Sequence, residues 1–300
     1  MKYETNSRNS IAACGVLLLM LGLPGVLYPQ SLSSGHDGSS ETRTAAEAEV
    51  PFRLYNGNLI VVKATIGSIK NVNMILDTGT NRSIISKELA SRLKMSEGSE
   101  PIETLNGTLQ VKSLILPDIQ LGSFHAASLR VLVQDFETME SNLGMSIGGV
   151  VGLDILSTGP FTINYEEKTV TFGSASMLRN AVPFASTEPF LTVRTTVNGQ
   201  QVRLLLDSGT WELLLFRGRL HIAPNEGHLD RVSSVSTTGG SARLSWLHTN
   251  VSLGTSDLGV HKVAVAEADA DPDFDGLLGF AGMGFHRVSF DFEKRVFSWE

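Results

Sequence analysis

One short segment occurs twice in this chain of 300 residues. Residues 75–80 read ILDTGT and residues 205–210 read LLDSGT. In each copy an aspartate, Asp77 or Asp207, follows an apolar run and precedes a hydroxyl residue, a glycine and a threonine. Two copies of one carboxylate loop predict a fold built from two related halves. They also predict a site that the two aspartates share.

Other landmarks repeat in the same order and at similar spacing, which indicates an internal duplication. The paired segments are 50–52 with 182–184, 77–80 with 207–210, 150–152 with 277–279, and 162–166 with 289–293. A long repeat that is used only twice is not a solenoid. We therefore predict two related lobes, residues 50–181 and 182–300.

The body of the chain has the pattern of a β protein. Short apolar runs rich in β-branched residues alternate with Gly, Asn, Asp and Pro, and long stretches of helical periodicity are scarce. One helix is predicted at residues 86–94, with Ser86 as its N-cap. The pattern predicts an all-β fold of two lobes with the site between them.

The N-terminus predicts export. Lys2 and Arg8 precede an apolar stretch at residues 11–27, so residues 1–28 are either a cleaved signal peptide or a membrane anchor. Cys14 resembles a lipidation site, but the apolar stretch follows it rather than preceding it. Residues 29–49 have the polar composition of a flexible linker. We predict a body outside the cytoplasm, periplasmic or extracellular, free or attached through residues 11–27.

Charge and cysteine usage exclude several functions. A formal net charge of −7 argues against a nucleic-acid partner, because binding phosphates requires a basic face. The single cysteine, Cys14, lies in the N-terminal apolar stretch. The body therefore has no disulfide, no cysteine nucleophile and no thiolate metal site.

Paired aspartates carry a specific chemistry. Two carboxyl groups a few ångströms apart cannot both ionise, so they share one proton. Asp77 and Asp207 would then activate one water, one as the base and the other as a proton donor. Gly79 and Gly209 would let the backbone approach the carboxylates closely.

The hydroxyl residues of the two loops have predicted roles as well. Thr78 and Ser208 are expected to hydrogen-bond across the junction of the lobes and to lock the loops together. Thr80 and Thr210 are expected to donate to the outer carboxylate oxygens and to stabilise the ionised form.

On these residues the chain resembles the pepsin-like and retropepsin-like aspartic proteases. The resemblance rests on segments 77–80 and 207–210 and on the glycine-ended apolar runs at 150–152 and 277–279. It implies the bilobal acid-protease fold, with two β-barrel-like lobes in which these runs support the catalytic loops from below.

The family also closes a β-hairpin flap over its substrate. Asn106 and Gly107 form a good hairpin turn, as do Gly239 and Gly240 in the second half, and either hairpin is a flap candidate. The pepsin flap tyrosine has no counterpart in the sequence. This departure favours the smaller retropepsin plan, fused here into one chain.

Two further motifs compete with this interpretation. Residues 144–148 match the G-x-S-x-G string of serine esterases, but no strand and helix are predicted around them as a nucleophile elbow requires. Residues 271–276 copy the first half of an EF-hand loop, but Gly282 stands where the bidentate glutamate is required. No metal or cofactor is predicted.

The sequence thus predicts a monomeric aspartic endopeptidase that binds an extended peptide and has an acidic pH optimum. Two alternatives stay open. The fold could serve as a non-catalytic peptide-binding module, or the enzyme could be a membrane-tethered protease that processes one specific partner.

Overall fold

The computed structural model describes most of the chain from residue 47 onward. The described residues are 20–21, 47–95, 97–104, 107–187, 190–219, 230–237, 240–267 and 274–300. Strands dominate them, and their three α-helices are short. The predicted all-β fold class is confirmed. Within these ranges, none of the helices has the length and apolar character that crossing a membrane requires.

The strands that precede residue 173 form one series. They are β1 (Met20–Leu21), β2 (Ala48–Tyr55), β3 (Leu59–Ile66), β4 (Ile69–Leu76), β5 (Ile84–Ser86), β6 (Glu97–Thr104), β7 (Gly107–Leu121), β8 (Phe124–Gln134), β9 (Gly149–Val151), β10 (Phe161–Asn164) and β11 (Thr169–Phe172). The helices among them are α1 (Lys87–Leu93), α2 (Glu137–Leu143) and α3 (Leu153–Leu156).

A second series follows. Its strands are β12 (Asn180–Pro183), β13 (Ala185–Thr187), β14 (Phe190–Val197), β15 (Gln200–Leu206), β16 (Leu213–Phe216), β17 (Asp230–Thr237), β18 (Gly240–Leu253), β19 (Ser256–Glu267), β20 (Gly276–Leu278), β21 (Arg287–Asp291) and β22 (Val296–Trp299). A 3₁₀ turn spans Arg217–Arg219.

The described strands form two sheets. One has 14 strands in the order β1-β6-β7-β8-β5-β9-β4-β3-β2-β11-β10-β21-β22-β12, and the other has eight in the order β13-β14-β15-β20-β16-β19-β18-β17. Apolar side chains of both sheets form one large buried core. A second, smaller core lies in the N-terminal half.

The two series repeat one pairing scheme. β4 pairs in parallel with β9, and β15 pairs in parallel with β20. β5 runs antiparallel to β9 and parallel to β8, and β16 has the same relations to β20 and β19. The duplication seen in the sequence is therefore also a duplication of topology.

Equivalent strands of the two halves meet within the larger sheet. β10 pairs antiparallel with β21, so that Thr162 lies opposite Ser289 and their hydroxyl oxygens are 2.8 Å apart. The rings of Phe161 and Phe290 stack beside them, with centroids 4.6 Å apart. This pairing joins one strand of each half within a single sheet.

The predicted division into 50–181 and 182–300 stays a prediction. Residues 181 and 182 lie within β12, and β12, β21 and β22 all belong to the 14-stranded sheet. The predicted linker ends too late by two residues, because β2 already begins at Ala48 and pairs with β11. Of the predicted leader only β1 is described, and it pairs with β6.

The one predicted helix is confirmed as α1. Ser86 caps its N-terminus, since its Oγ accepts a hydrogen bond from the amide of Leu89 at 3.1 Å. Lys94 ends the helix in the left-handed conformation.

Candidate active site

Two buried strands deliver the paired aspartates. β4 and β15 end immediately before Asp77 and Asp207, and both strands end in three buried residues. The amide of Asp77 donates to Val151 O at 3.0 Å, and the amide of Asp207 donates to Leu278 O at the same distance. β9 and β20 thus hold the first residue of each loop in the same way.

Glycine is required where these supporting strands end. A Cβ on Gly152 would lie 2.9 Å from Thr80 O, and a Cβ on Gly279 would overlap Thr210 O. The two aspartate loops therefore cross directly over these two residues. The close approach explains why the apolar runs at 150–152 and 277–279 both end in glycine.

Four hydrogen bonds lock the two loops together. The amide of Thr78 donates to Ser208 Oγ at 3.0 Å, and the amide of Ser208 donates to Thr78 Oγ1 at 2.9 Å. The two hydroxyls then donate onward, to Leu206 O at 2.9 Å and to Leu76 O at 3.2 Å. All four residues are buried. The predicted bracing by Thr78 and Ser208 agrees with this geometry.

The carboxyl groups of Asp77 and Asp207 lie side by side. A Cβ on Gly79 would be 2.5 Å from Asp207 Cγ, and a Cβ on Gly209 would be 2.9 Å from Asp77 Oδ2. Each loop therefore places its glycine against the carboxyl group of the other loop. The two carboxyl groups also hydrogen-bond each other, and the residues are only 5% and 4% exposed.

Asp207 receives more hydrogen bonds than Asp77. Both accept one from the glycine two residues later, at 2.7 Å in each loop. Asp207 also accepts from Thr210 Oγ1 at 2.7 Å and from the Thr210 amide at 3.2 Å. The predicted equivalent bond from Thr80 is not present, because the Thr80 hydroxyl donates to Arg82 O at 3.1 Å and has no second proton to offer.

These contacts separate the two acids electrostatically. Burial raises the pKa of Asp77 well above its ordinary value, and the neighbouring charge of Asp207 raises it further. Burial also raises the pKa of Asp207, but hydrogen bonds from Thr210 and Asp77 oppose that shift. The pair titrates as a unit, and its arrangement favours a shared proton on Asp77 and a negative charge on Asp207.

A third carboxylate, which the sequence analysis did not single out, supports the segment that follows the N-terminal loop. Asp154 accepts from the amide of Ser83 at 2.9 Å and from its hydroxyl at 2.6 Å. Ser83 Oγ in turn accepts from the amide of Gly152 at 3.0 Å. Burial raises the pKa of Asp154, and the bonds from Ser83 oppose that rise. An acidic residue in the apolar stretch after Gly152 was the available signal.

Both predicted flap hairpins have strands in the structure. β6 pairs with β7 up to Thr104 opposite Gly107, and β17 pairs with β18 up to Thr237 opposite Gly240. Asn106 and Gly239 lie outside the described residues. Whether either hairpin covers the substrate stays a prediction.

The competing motifs gain no support. Around residues 144–148 the structure has α2 before and β9 after, the reverse of the strand and helix that a nucleophile elbow needs. Of the EF-hand-like loop, residues 271–273 lie outside the described residues, and Asp275 Oδ2 accepts from the Arg203 amide at 2.7 Å. Among the described residues no cluster of three or more acidic, histidine or cysteine side chains could hold a metal.

Residues 62–155 match the family model described as Aspartyl protease. The matched segment contains Asp77 and the supporting strand β9, and it ends before Asp207. No curated protein shows a significant match to this chain. The family match supports an aspartyl protease family, and therefore peptide-bond hydrolysis as the class of reaction.

Proposed function

We propose that this chain is an aspartic endopeptidase in which Asp77 and Asp207 share a proton and activate one water. The observation that carries the proposal is the mutual placement of the two loops. Each glycine abuts the opposite carboxyl group, and four hydrogen bonds hold that arrangement. Such a rigid pair of carboxyl groups is suited to proton transfer rather than to loop capping.

The unequal surroundings assign different roles to the two acids. Asp207 keeps the negative charge because Thr210 and Gly209 donate to it, so it is the base that takes a proton from water. Asp77 holds the shared proton and donates it to the carbonyl oxygen of the substrate. Attack of the water oxygen on the carbonyl carbon then gives a neutral tetrahedral diol.

Collapse of this intermediate restores the site. The amide nitrogen takes the proton that Asp207 had accepted, and the C–N bond breaks. One hydroxyl of the diol returns its proton to Asp77 as the new carboxyl group forms. Every proton is accounted for by water and the two acids, so the steps need no group beyond them.

The substrate is proposed to be an extended peptide, which can add strand-like hydrogen bonds to the edges of the hairpins. The pepsin-like or retropepsin-like family, the single-chain two-lobed organisation, the monomeric state and the location outside the cytoplasm are parts of the same proposal. The N-terminal apolar stretch at residues 11–27 supports that location.

The decisive experiment uses the full chain and a denatured protein as substrate. Cleavage is followed by mass spectrometry from pH 3 to pH 8 for the wild type, Asp77→Asn, Asp207→Asn and the control Asp257→Asn. General acid–base catalysis by each carboxyl predicts a loss of roughly 10³-fold or more in the first two variants. Asp257 is exposed near the start of β19, outside the two aspartate loops, so its variant should retain full activity.

The pH profile provides a second criterion. Activity should fall at low pH as Asp207 gains a proton, and at high pH as Asp77 loses the shared one. A bell-shaped curve with an acidic maximum is therefore expected. Peptide binding without cleavage at any pH would overturn the proposal in favour of a binding module, and cleavage that survives both substitutions would overturn the dyad.

A further inference from the structure

One turn of the N-terminal half reaches the catalytic loop of the C-terminal half. The turn lies between β2 and β3, where the amide of Asn58 donates to Tyr55 O at 3.1 Å. Asn58 is fully buried, and its side-chain Nδ2 donates to Gly209 O at 2.5 Å. A carbonyl can only accept, so the amide nitrogen and not the amide oxygen must face it.

The residue beside Asn58 makes a second contact with the same loop. Gly57 has a φ of +83°, and its Cα packs so closely against the indole of Trp211 that an added Cβ would overlap the ring. Two successive residues of the turn therefore contact two nearby residues of the C-terminal loop. The contact has a defined geometry and is not an incidental touch between surfaces.

The accepting carbonyl is chemically coupled to the base. Gly209 C=O and Thr210 N–H belong to one planar peptide unit, so fixing the carbonyl also fixes the direction of the N–H. That N–H donates to Asp207 Oδ1 at 3.2 Å. A hydrogen bond to the carbonyl polarises the unit and strengthens the bond that its N–H donates.

We propose that Asn58 is a positioning residue that stabilises the charge of Asp207 through the peptide unit between Gly209 and Thr210. The proposal rests on the proposed function, because it concerns the acid that serves there as the base. No described side chain donates to Gly79 O, the counterpart of Gly209 O in the N-terminal loop. In the second repeat, β14 corresponds to β3, and the residue before β14 is Pro189. Proline has no side-chain donor, so it cannot make the bond that Asn58 makes.

The side-chain oxygen of Asn58 shows that filling space does not explain why asparagine occupies this position. Asn58 Oδ1 is buried and has no hydrogen-bond donor among the described residues. An unsatisfied buried oxygen is unfavourable, and leucine has the same branched shape without it. Asparagine at this buried position is therefore less favourable for stability than leucine, unless its side-chain nitrogen makes a functional hydrogen bond. The bond to Gly209 O is that hydrogen bond.

The test compares Asn58→Leu and Asn58→Asp with the wild type and with Asn250→Leu, in which an exposed asparagine of β18 is replaced. We measure kcat/KM against pH. Loss of the donor should move the acidic limb upward by about half a pH unit in Asn58→Leu. The shift should be larger in Asn58→Asp, since a carboxylate would then face Gly209 O.

A readout without substrate separates this inference from the proposed function. The Asp207 Cγ signal is followed by ¹³C NMR during a pH titration of the full chain and is assigned with Asp207→Asn. An upward shift of its lower titration midpoint in either Asn58 variant supports the role of Asn58 even if no cleavage is found. An unchanged midpoint and an unchanged acidic limb overturn that role, whatever the variants do to thermal stability. The two variants have the same shape, so if one of them fails to fold, the other decides.

Discussion

The two aspartate loops have matching sequences in different surroundings. In both loops a glycine amide donates to the aspartate carboxyl group at 2.7 Å. In both, a carbonyl of the supporting strand accepts a hydrogen bond from the backbone amide of the aspartate. The C-terminal loop adds the hydroxyl of Thr210 directly on its carboxylate. The N-terminal loop is followed instead by Ser83, whose amide and hydroxyl both donate to Asp154.

Under the proposed mechanism, this difference gives the two acids of a duplicated site different roles. If the two carboxyl groups had identical surroundings, the shared proton would be bound to each of them half of the time. Extra donors on one carboxylate lower the free energy of its charged form, so the proton moves to the other acid. The two loops thus share their backbone geometry but differ in the number of hydrogen bonds that their carboxyl groups accept.

Among the tests that compare the two loops, we expect the largest effect from adding a methyl group to the glycine that packs against the opposite acid. In Gly79→Ala the new Cβ would lie 2.5–2.7 Å from the carboxyl atoms of Asp207, whereas in Gly209→Ala it would lie 2.9–3.1 Å from those of Asp77. We expect kcat/KM to fall roughly 10²-fold or more in the first variant and roughly 10-fold in the second, because displaced catalytic atoms are costly.

Thermal melts by circular dichroism serve as the control for folding of both glycine variants. Equal losses of activity, or a larger loss in Gly209→Ala, would contradict the unequal packing.

The second test concerns the two threonines, which have different acceptors. Thr210→Val removes a donor to the Asp207 carboxylate, so the pKa of the base rises and the acidic limb of the pH–rate profile moves upward by about one unit. Thr80→Val removes only a bond to Arg82 O and should leave that limb in place. Valine is close to threonine in shape, so the pair isolates the hydroxyl. If both variants shifted the limb equally, the asymmetry would be refuted.

The smallest expected effect is on stability. The raised pKa of Asp77 means that its contribution to stability is present below the unfolded pKa, about 4, and is lost as pH rises through the folded pKa. Asp77→Asn should therefore raise Tm at pH 7, and the gain should vanish toward pH 4. Asp207→Asn should raise Tm at pH 7 by less, because hydrogen-bond donors already stabilise the charge of Asp207 in the wild type.

Differential scanning calorimetry of both asparagine variants across that pH range makes the comparison. A lower Tm for Asp77→Asn at pH 7, or a gain that grows as the pH falls, would contradict the assigned direction of the pKa shift.

The backbone of the site could be predicted from sequence because it depends on local patterns. Apolar runs ending at Leu76 and Leu206 indicated strands, whereas the resemblance to aspartic proteases implied the supporting strands that end at Gly152 and Gly279. The helix at α1 followed from Ser86 in the same way. Such features rely on periodicity and turn chemistry, which the order of residues expresses directly.

The side chains that make the loops unequal could not be predicted in this way. Thr80 and Thr210 occupy equivalent places in the repeat, yet their hydroxyls donate to different acceptors. Asn58 lies 151 residues from Gly209, and no spacing rule joins a turn of one half to a loop of the other. The support that Asp154 supplies from 71 residues beyond Ser83 was missed for the same reason.

By itself, the order of residues determined that two like loops exist, that each carries one carboxylate, and that each follows an apolar strand. Only the tertiary structure decided which carboxylate receives the additional donors, because a hydrogen bond depends on distances and directions that long-range packing sets. Duplication copies the loop sequence, whereas the surroundings of each copy come from segments that were free to differ.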